Sequence, residues 1–299
     1  MFDIKPSLQC GNFELKLDTP KIMAIVNVTP DSFSDGGKLS STQQAIEFAL
    51  KQVELGADIL DIGGESTRPD ADEVSVQEEL ARVIPVIEGL RGKITVPISI
   101  DTSKPEVMRA AVDAGAGLIN DVYALRQEVA LEAAAELNVP VCIMHMLGKP
   151  KTMQKEVHYE DVLVQVRQFL TERIFACEMA GIAKKNIIID PGFGFGKHLE
   201  HNLKLLANLD YFKQLGVPVL AGVSRKSMIG LMTGRELESR MVGSVAAAML
   251  AVQNGASIIR VHDVAETKDA LAVLSAVSAY KTKTTEKSNK SNIMWPDVD

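Results

Sequence analysis

The stretch Asn186–Lys197 reads NIIIDPGFGFGK, and it is the key to the fold. Three consecutive isoleucines favour extended backbone, so Ile187–Ile189 is predicted to be a short strand buried on both faces. Asp190 ends that strand, and three glycines then turn the chain before a helical pattern begins near Leu199. The stretch therefore predicts a carboxylate at the mouth of a strand.

The same order of apolar run, polar end, loop and helix-length segment occurs seven more times. Strands are predicted over residues 22–27, 57–62, 96–101, 118–121, 141–145, 187–190, 217–222 and 258–262. Helices are predicted over 42–55, 76–90, 104–114, 126–137, 159–180, 199–215, 236–254 and 264–281. Eight alternations are typical of an α/β protein with a (β/α)8 TIM barrel, and a doubly wound open sheet is the structural alternative.

The segments before and after this repeat have different patterns. Phe13–Leu17 alternates apolar and polar residues between turn-forming segments, which predicts a short N-terminal β-hairpin. From Thr282 the periodicity ends and Lys, Ser, Thr and Asn dominate, so residues 282–299 are interpreted as a flexible C-terminal tail in which Trp295 has no assigned role. Residues 1–281 are expected to form one domain.

The composition narrows the class of partner and the compartment. A net charge of −7 and a pI near 5.4 disfavour nucleic acid or an anionic membrane as the main partner. Cys10, Cys142 and Cys177 are scattered and do not have metal-ligand spacing, which indicates a reducing, cytoplasmic setting. The longest apolar run, near Val245–Val252, is shorter than the ~20 residues that a membrane-spanning helix needs, so no membrane association is expected.

Polar residues end every predicted strand. In a (β/α)8 barrel these ends and the loops after them form the active face. The residues are Asn27, Asp61, Asp101, Asn120 with Asp121, His145, Asp190, Ser224 with Arg225 and Lys226, and Arg260 with His262. A single Asp at a strand end is often only a turn former, but eight such ends in register indicate a functional site.

One part of this ring predicts an anion site. Arg260 and His262 are two residues apart on a predicted strand, so their side chains are expected to share a face and to bind a phosphate or carboxylate. The alternative is a buried Arg260 paired with an acidic side chain. Asn27 ends the first barrel strand, next to the eighth, and its amide oxygen suits Mg²⁺ that bridges two phosphates. Neither a Walker loop nor a GxGxxG motif occurs, so ATP or NAD binding is not supported.

The other part predicts a site for a flat, hydrogen-bonding ring. Asp101, Asn120 and Asp190 offer acceptors and an amide for the donor-rich edge of an aminopyrimidine. Met144 and Phe195 are suited to form flat, apolar walls, and plain core packing is the alternative for both.

Lys226, in the segment SRKS, has three open roles. It could hold a carboxylate, bond to a ring, or form a Schiff base, and its spacing does not choose among them. Two loops dense in Gly, Pro, Ser, Thr and Asp, 27–37 and 63–70, follow the first two barrel strands and are candidate lids. They bring Phe33, Thr67 and Arg68 over the predicted pocket.

Five motifs carry a family resemblance. They are IVNVTPDSFSDGG (25–37), GADILDIGGESTRP (56–69), DPGFGFGK (190–197), SRKSMIG (224–230) and RVHD (260–263). In this order they resemble the bacterial dihydropteroate synthase family, over nearly the whole chain from about Ile22. The resemblance implies a (β/α)8 barrel that joins (7,8-dihydropterin-6-yl)methyl diphosphate to 4-aminobenzoate, giving 7,8-dihydropteroate and diphosphate in folate biosynthesis. It also implies a homodimer through the last barrel helices and inhibition by sulfonamides.

The resemblance also implies a role for each matching residue. The pterin is expected to contact Asp101, Asn120, Met144, Asp190, Phe195, Gly222 and Lys226. Asn27 is expected to hold Mg²⁺, and Asn27, Thr67, Arg260 and His262 to hold the diphosphate. Phe33, Thr67, Arg68, Pro69, Lys226 and Ser227 are expected to hold 4-aminobenzoate. Asp101, Asp190, Lys226, Arg260 and His262 are the candidate catalytic residues, for an ionisation-first (SN1-like) substitution assisted by Mg²⁺.

Two residues depart from the family pattern, and three rival functions stay open. Asp70 stands where the family often has Gly, and Leu147 stands where it commonly has Gln. The rivals are a barrel that passes the methyl group of methyltetrahydrofolate to a corrinoid, a Schiff-base aldolase that uses Lys226, and a non-catalytic pterin-binding barrel. The first should lack both the STRP lid and the Arg-x-His pair, which this sequence contains.

Overall fold

The structure, a computed structural model, describes residues 7–29, 41–66, 73–148 and 157–280. Its strands are β1 (Ser7–Cys10), β2 (Phe13–Lys16), β3 (Lys21–Asn27), β4 (Ile59–Gly63), β5 (Ile98–Asp101), β6 (Leu118–Asp121), β7 (Val141–Met144), β8 (Ile187–Asp190), β9 (Leu220–Ala221) and β10 (Ile258–Val261). Its α-helices are α1 (Ser41–Glu54), α2 (Val76–Leu90), α3 (Pro105–Ala114), α4 (Ala130–Leu137), α5 (Val162–Met179), α6 (Leu199–Ala207), α7 (Ser227–Thr233), α8 (Met241–Gln253) and α9 (Val264–Ser278).

Eight parallel strands form the barrel. Their order is β8-β7-β6-β5-β4-β3-β10-β9, and a further parallel bridge between Ile189 and Val219 joins β8 to the segment before β9. The strands are buried on both faces because side chains fill the interior and the helices cover the outside. The predicted TIM barrel is confirmed, and so is the predicted N-terminal hairpin, in which β1 pairs with β2 in an antiparallel register.

The hairpin closes one end of the barrel interior. Leu8, Cys10, Leu15 and Leu17 pack with the first inward-facing residue of most barrel strands. Those residues are Met23, Ile59, Leu118, Cys142, Ile188, Leu220 and Ile258. Because side chains alternate between the faces of a strand, the residue two positions later also points into the interior. These next residues include Asp61, Asn120, Asp190 and Arg260, so the apolar hairpin end and the polar end belong to the same packed barrel interior.

The helix boundaries differ from the predicted ones where the backbone leaves the helical region. The helix predicted from residue 126 begins at Ala130, because Ala124, Leu125 and Val129 have positive φ values. The helix predicted over 199–215 divides into α6 and a 3-10 helix over Leu209–Leu215. The helix predicted from residue 236 begins at Met241.

One helix was not predicted. The seven-residue α7 (Ser227–Thr233) begins after the short loop 222–226 that follows β9, and it ends at Gly234, whose φ is +67°. It is too short for its apolar period to be visible in the sequence. The predicted tail, 282–299, lies outside the described residues, and so does Trp295. Within the described ranges, every helix falls short of the length and apolar content that crossing a bilayer requires.

We expect the hairpin to contribute to stability through the apolar plug. Leu8 is 1% exposed, so Leu8→Ala should lower the free energy of unfolding by about 2–5 kcal/mol, from lost burial and the cavity that remains. Ser7 is exposed on the same strand, so Ser7→Ala should change it by less than about 0.5 kcal/mol. Urea denaturation of the two variants measures both values, and equal losses would contradict the plug.

Candidate active site

The predicted ring site, which contains Asp190, and the predicted anion site, which contains Arg260, face a common cup at the C-terminal end of the barrel strands. Gly222 follows β9, and a Cβ atom at this glycine would lie 3.8 Å from Oδ2 of Asp190 and 4.0 Å from Cβ of Arg260. Asp190 and Arg260 therefore border the same small volume, on either side of Gly222. A side chain at position 222 would occupy that volume, which explains why glycine suits it.

A guanidinium between two carboxylates forms the floor of the cup. Arg260 donates from Nε to Oδ2 of Asp61 and from one Nη to Oδ2 of Asp101, both at 2.6 Å. Asn120 donates from its side-chain amide to the same Asp61 oxygen at 3.1 Å. Arg260 is thus paired with acidic side chains, the alternative that the sequence left open, while its side chain remains 21% exposed.

Burial shifts the pKa values of the charged side chains in the cup. It raises the pKa of Asp101 to about 7, although the Arg260 guanidinium opposes the shift. It also raises the pKa of Asp190, against the opposing effect of Lys226. The pKa of Lys226 falls to about 8, mainly because burial disfavours its charge, and the Asp190 carboxylate limits that fall. Acid and base groups that titrate near neutrality are typical of functional sites.

Lys226 and Phe195 form a second wall of the cup. The ammonium of Lys226 donates to the backbone carbonyl of Phe193 and lies 4.2 Å from the centroid of the Phe195 ring. Phe195 also packs against an apolar cluster that contains Met144. Phe195 therefore lies beside both Lys226 and the cluster that contains Met144, and the packing alternative is observed for Met144 and Phe195.

A buried lysine holds the glycine-rich loop in place. Nζ of Lys197 donates to the carbonyl oxygens of Gly192 and Phe195, at 2.9 and 3.0 Å, and lies 2.9 Å from Nδ1 of His145. Gly192 has a φ of +71°, and a Cβ there would lie 1.9 Å from the carbonyl oxygen of His145. Sequence reasoning missed this role, although Lys197 at the end of a buried motif was a possible signal.

His145 and Asp121, two members of the predicted polar ring, are structural. Burial, followed by the nearby Lys197 charge, lowers the pKa of His145 to about 2, so its ring is a neutral acceptor. Asp121 accepts hydrogen bonds from the backbone N–H groups of Tyr123 and Leu125 at 2.8 and 2.7 Å. It therefore holds the turn after β6.

The loop after β9 contains residues that face the cup and residues that hold the loop in place. Oγ of Ser224 lies 3.0 Å from Nδ1 of His262, which orients the imidazole just beyond the end of β10. Arg225 has a φ of +55° and forms a salt bridge with Asp263. Arg225 is thus engaged in holding the loop, whereas the ammonium of Lys226 donates to the Phe193 carbonyl. Ser227 begins α7 and is exposed.

Part of the predicted site lies outside the described residues. This part comprises Phe33, Thr67, Arg68 and Pro69, together with the departure at Asp70. The other departure, Leu147, is described and is half-buried; a Cβ at Gly196, whose φ is +62°, would lie 2.7 Å from its Cβ. Leu147 therefore supports the glycine-rich loop from outside.

Asn27 is compatible with a magnesium ion that is held mainly by other ligands. It ends β3 opposite Gly63 of β4 and is partly exposed. Among the described residues, no group of three or more His, Cys, Asp or Glu side chains could hold a metal ion. One amide oxygen suits Mg²⁺ that keeps several waters and binds substrate phosphates.

Comparisons with known proteins agree with this geometry. A family model described as "Pterin binding enzyme" matches residues 23–262. The dihydropteroate synthase of Haemophilus influenzae is 54% identical over 271 residues, which is 91% of this chain and 98% of that protein. Two solved structures of the Xanthomonas albilineans dihydropteroate synthase, with 4-aminobenzoic acid and with 7,8-dihydropteroate, match with TM-scores of 0.88 and 0.85. Their sequences are 59% and 57% identical, and both matches cover 92% of this chain and 99% of the other.

The barrel, the shared cup and these relatives define the class: the chain belongs to the pterin-binding enzymes. Within that class it belongs to the dihydropteroate synthases, which condense (7,8-dihydropterin-6-yl)methyl diphosphate with 4-aminobenzoate. The relationship to corrinoid-dependent methyl transfer is not favoured.

The ion pairs of Arg260 should make a measurable and pH-dependent contribution to stability. Arg260→Ala leaves Asp61 and Asp101 buried without their cation, so the free energy of unfolding should fall by about 3–5 kcal/mol. The pKa of Asp101 should rise above its value of about 7, because Arg260 lowers it. Between the ordinary pKa of an unfolded aspartate and the raised pKa of Asp101, the folded variant binds a proton that the unfolded chain releases. The stability of the variant therefore falls as the pH rises towards the raised pKa.

Urea denaturation at about pH 6.5 and about pH 8.5 measures this effect, and the loss should be larger at the higher pH. Arg109→Ala is the matched control, since Arg109 pairs with Glu136 where both side chains are largely exposed. That control should lose less than about 1 kcal/mol at either pH. A loss for Arg260→Ala that equals the control would contradict the buried ion pairs.

Proposed function

We propose that the cup binds the pterin through its polar floor and its apolar wall. Asp101, Asn120 and Asp190 supply hydrogen-bonding groups at the floor, each buried or nearly so. Met144, Phe195, Gly222 and Lys226 complete the contact surface. The observation that carries this proposal is the position of Asp190 and Arg260 on either side of Gly222, because a bicyclic ring and its diphosphate need one continuous cavity.

The diphosphate is proposed to bind next to the pterin, at the end of β10. Arg260 presents its exposed fraction to an anion, and the hydrogen bond between Ser224 and His262 fixes the orientation of the imidazole. Thr67 is the third proposed contact. Asn27 is the residue proposed to hold Mg²⁺, and a bound ion would supply positive charge to the leaving diphosphate.

The 4-aminobenzoate is proposed to lie at the rim of the cup. Lys226 and Ser227 stand at the start of α7, where a carboxylate is favoured by ammonium charge and an exposed hydroxyl. The proposed partners from the two loops are Phe33, Thr67, Arg68 and Pro69. Sulfonamides that imitate 4-aminobenzoate should compete for this position.

The reaction is proposed to begin with ionisation. The bond between the pterin methylene and the diphosphate oxygen breaks, and both electrons leave with the diphosphate, whose growing charge Arg260 and His262 stabilise. Asp101 and Asp190 stabilise the positive charge that spreads into the ring. The neutral amine of 4-aminobenzoate then forms the new C–N bond and loses a proton. No Ser-His-Asp unit is required, because the amine attacks a cation.

We also propose a homodimer and a cytoplasmic setting. Apolar side chains that are half-exposed or more lie on α8 and α9, the last two helices of the barrel. They include Val242, Leu250, Val273 and Val277, and Tyr280 follows them. A second copy of the chain would cover this surface. Cys10, Cys142 and Cys177 are all free and buried, in keeping with a reducing compartment.

Incubation of the protein with the pterin diphosphate, labelled 4-aminobenzoate and Mg²⁺ should yield labelled dihydropteroate and diphosphate. Arg260→Ala should lower kcat/KM by about 30- to 1000-fold, or about 2–4 kcal/mol, as loss of a preorganised charged contact does. Chromatography of the product measures the rate, and circular dichroism gives the folded fraction used for correction. Unchanged turnover in the folded variant would remove the diphosphate assignment.

The pH dependence of kcat/KM should be bell-shaped. Asp101, with a pKa of about 7, must be ionised to accept a hydrogen bond from the pterin, so the rate rises as the pH passes about 7. Lys226, with a pKa of about 8, must be protonated to donate, so the rate falls as the pH passes about 8. Lys226→Arg should lose the alkaline fall, because an arginine stays protonated. An alkaline fall that is identical in wild type and Lys226→Arg would exclude Lys226 as its source.

A further inference from the structure

Among the described carboxylates of the cup, Asp61 is the one that has no role in the proposed function. It lies in the middle of β4, between Leu60 and Ile62, and its side chain has no exposed surface. An acidic residue within such an apolar strand is costly unless something in the interior requires its charge. Its side chain points into the barrel, in register with Ile25 of β3 and Ser99 of β5.

Asp61 reaches across the barrel in two directions. In the sheet order β6-β5-β4-β3-β10, both of its side-chain partners lie two strands away from β4. Its Oδ2 accepts from Nε of Arg260 on β10 at 2.6 Å and from Nδ2 of Asn120 on β6 at 3.1 Å. Arg260 belongs to the proposed diphosphate end and Asn120 to the proposed pterin end. One carboxylate oxygen thus connects the residues that hold the two halves of the first substrate.

The energetics of this arrangement favour a functional explanation. The second oxygen, Oδ1, is buried and has no partner among the described residues, so its lost hydration is not compensated. A well-packed apolar side chain would avoid that cost. It would also leave Arg260 tied only to Asp101 and free to turn about that single contact. The benefit of Asp61 therefore lies in the orientation of its partners.

We propose that Asp61 is a positioning residue: it sets the orientation of the Arg260 guanidinium relative to the Asn120 amide, so that the diphosphate and the pterin bind in the alignment that ionisation needs. This inference rests on the proposed function. Asp61 acts through Arg260, and the substrate contacts remain those of Arg260 and Asn120.

The primary test is the near-isosteric variant Asp61→Asn. Loss of one charged hydrogen bond should lower kcat/KM for the pterin diphosphate by about 10- to 100-fold. The KM for 4-aminobenzoate should stay unchanged, because the rim of the cup is not altered. Ser99→Ala is the matched control: its buried hydroxyl is next to Asp61 in register and has no partner among the described residues. Ser99→Ala should retain wild-type kinetics.

A double-mutant cycle separates positioning from direct contact. If Asp61 acts through Arg260, then Asp61→Asn should cause less than about a threefold further loss in the Arg260→Ala background. The experiment measures kcat/KM for wild type, both single variants and the double variant, each corrected for its folded fraction. Fully additive losses would overturn the proposal, since they would mean that Asp61 contributes independently of Arg260.

A second readout responds to the charge of Asp61 rather than to its shape. The groups that act on Asp101 are Arg260, which lowers its pKa, and Asp61, Glu79 and Asp121, which raise it. Removal of the Asp61 charge should therefore move the acid limb of the kcat/KM profile to lower pH. An unmoved acid limb would count against the proposal. Absence of any turnover in the wild type would instead reject the proposed function, so the two failures are distinguishable.

Discussion

The structure of the cup depends on one interaction, the pairing of the Arg260 guanidinium with two buried carboxylates. A cation inside a barrel is costly unless anions compensate it, and two buried anions are equally costly without the cation. Asp61 and Asp101, on neighbouring strands, supply the compensation at 2.6 Å each. Because Arg260 comes from β10, the pairing connects strands from the beginning and the end of the barrel.

The barrel interior is polar at the end that contains the cup and apolar at the opposite end. The hairpin and the first inward-facing residues fill the other end of the barrel interior with apolar side chains, so the charged layer lies next to an apolar cluster. A low-polarity surrounding strengthens the ion pairs and shifts the pKa values of Asp101 and Lys226 towards neutrality. Stability and reactivity thus share one cause, which is the removal of charged groups from water.

The sequence predicted the architecture well because strand and helix periods are local. The boundaries of β6, β8 and α2 agree with the predicted ranges, and the eight alternations predicted the barrel. Errors occurred where local patterns give no signal. The short α7 was missed, and the start of α4 was placed too early because left-handed residues before it are ordinary in sequence.

The sequence identified which residues belong to the candidate site but not which of them contact each other. Asp101, Asn120, Asp190, Lys226 and Arg260 were identified from their positions at strand ends and from the motifs they occupy. The partner of each was not identifiable, because Arg260 and Asp61 are 199 residues apart in the chain. Lys197 and His145 likewise form a contact only when the glycine-rich loop folds over the end of β7.

The sequence by itself determined the order of elements, the inward parity of each strand and the family, since these follow from local periodicity and contiguous motifs. Only the tertiary structure decided which charges meet, which of them stay accessible, and which acids merely support a turn. The physical reason is that ion pairing and burial depend on distances across the barrel, and no short segment of the chain contains both partners.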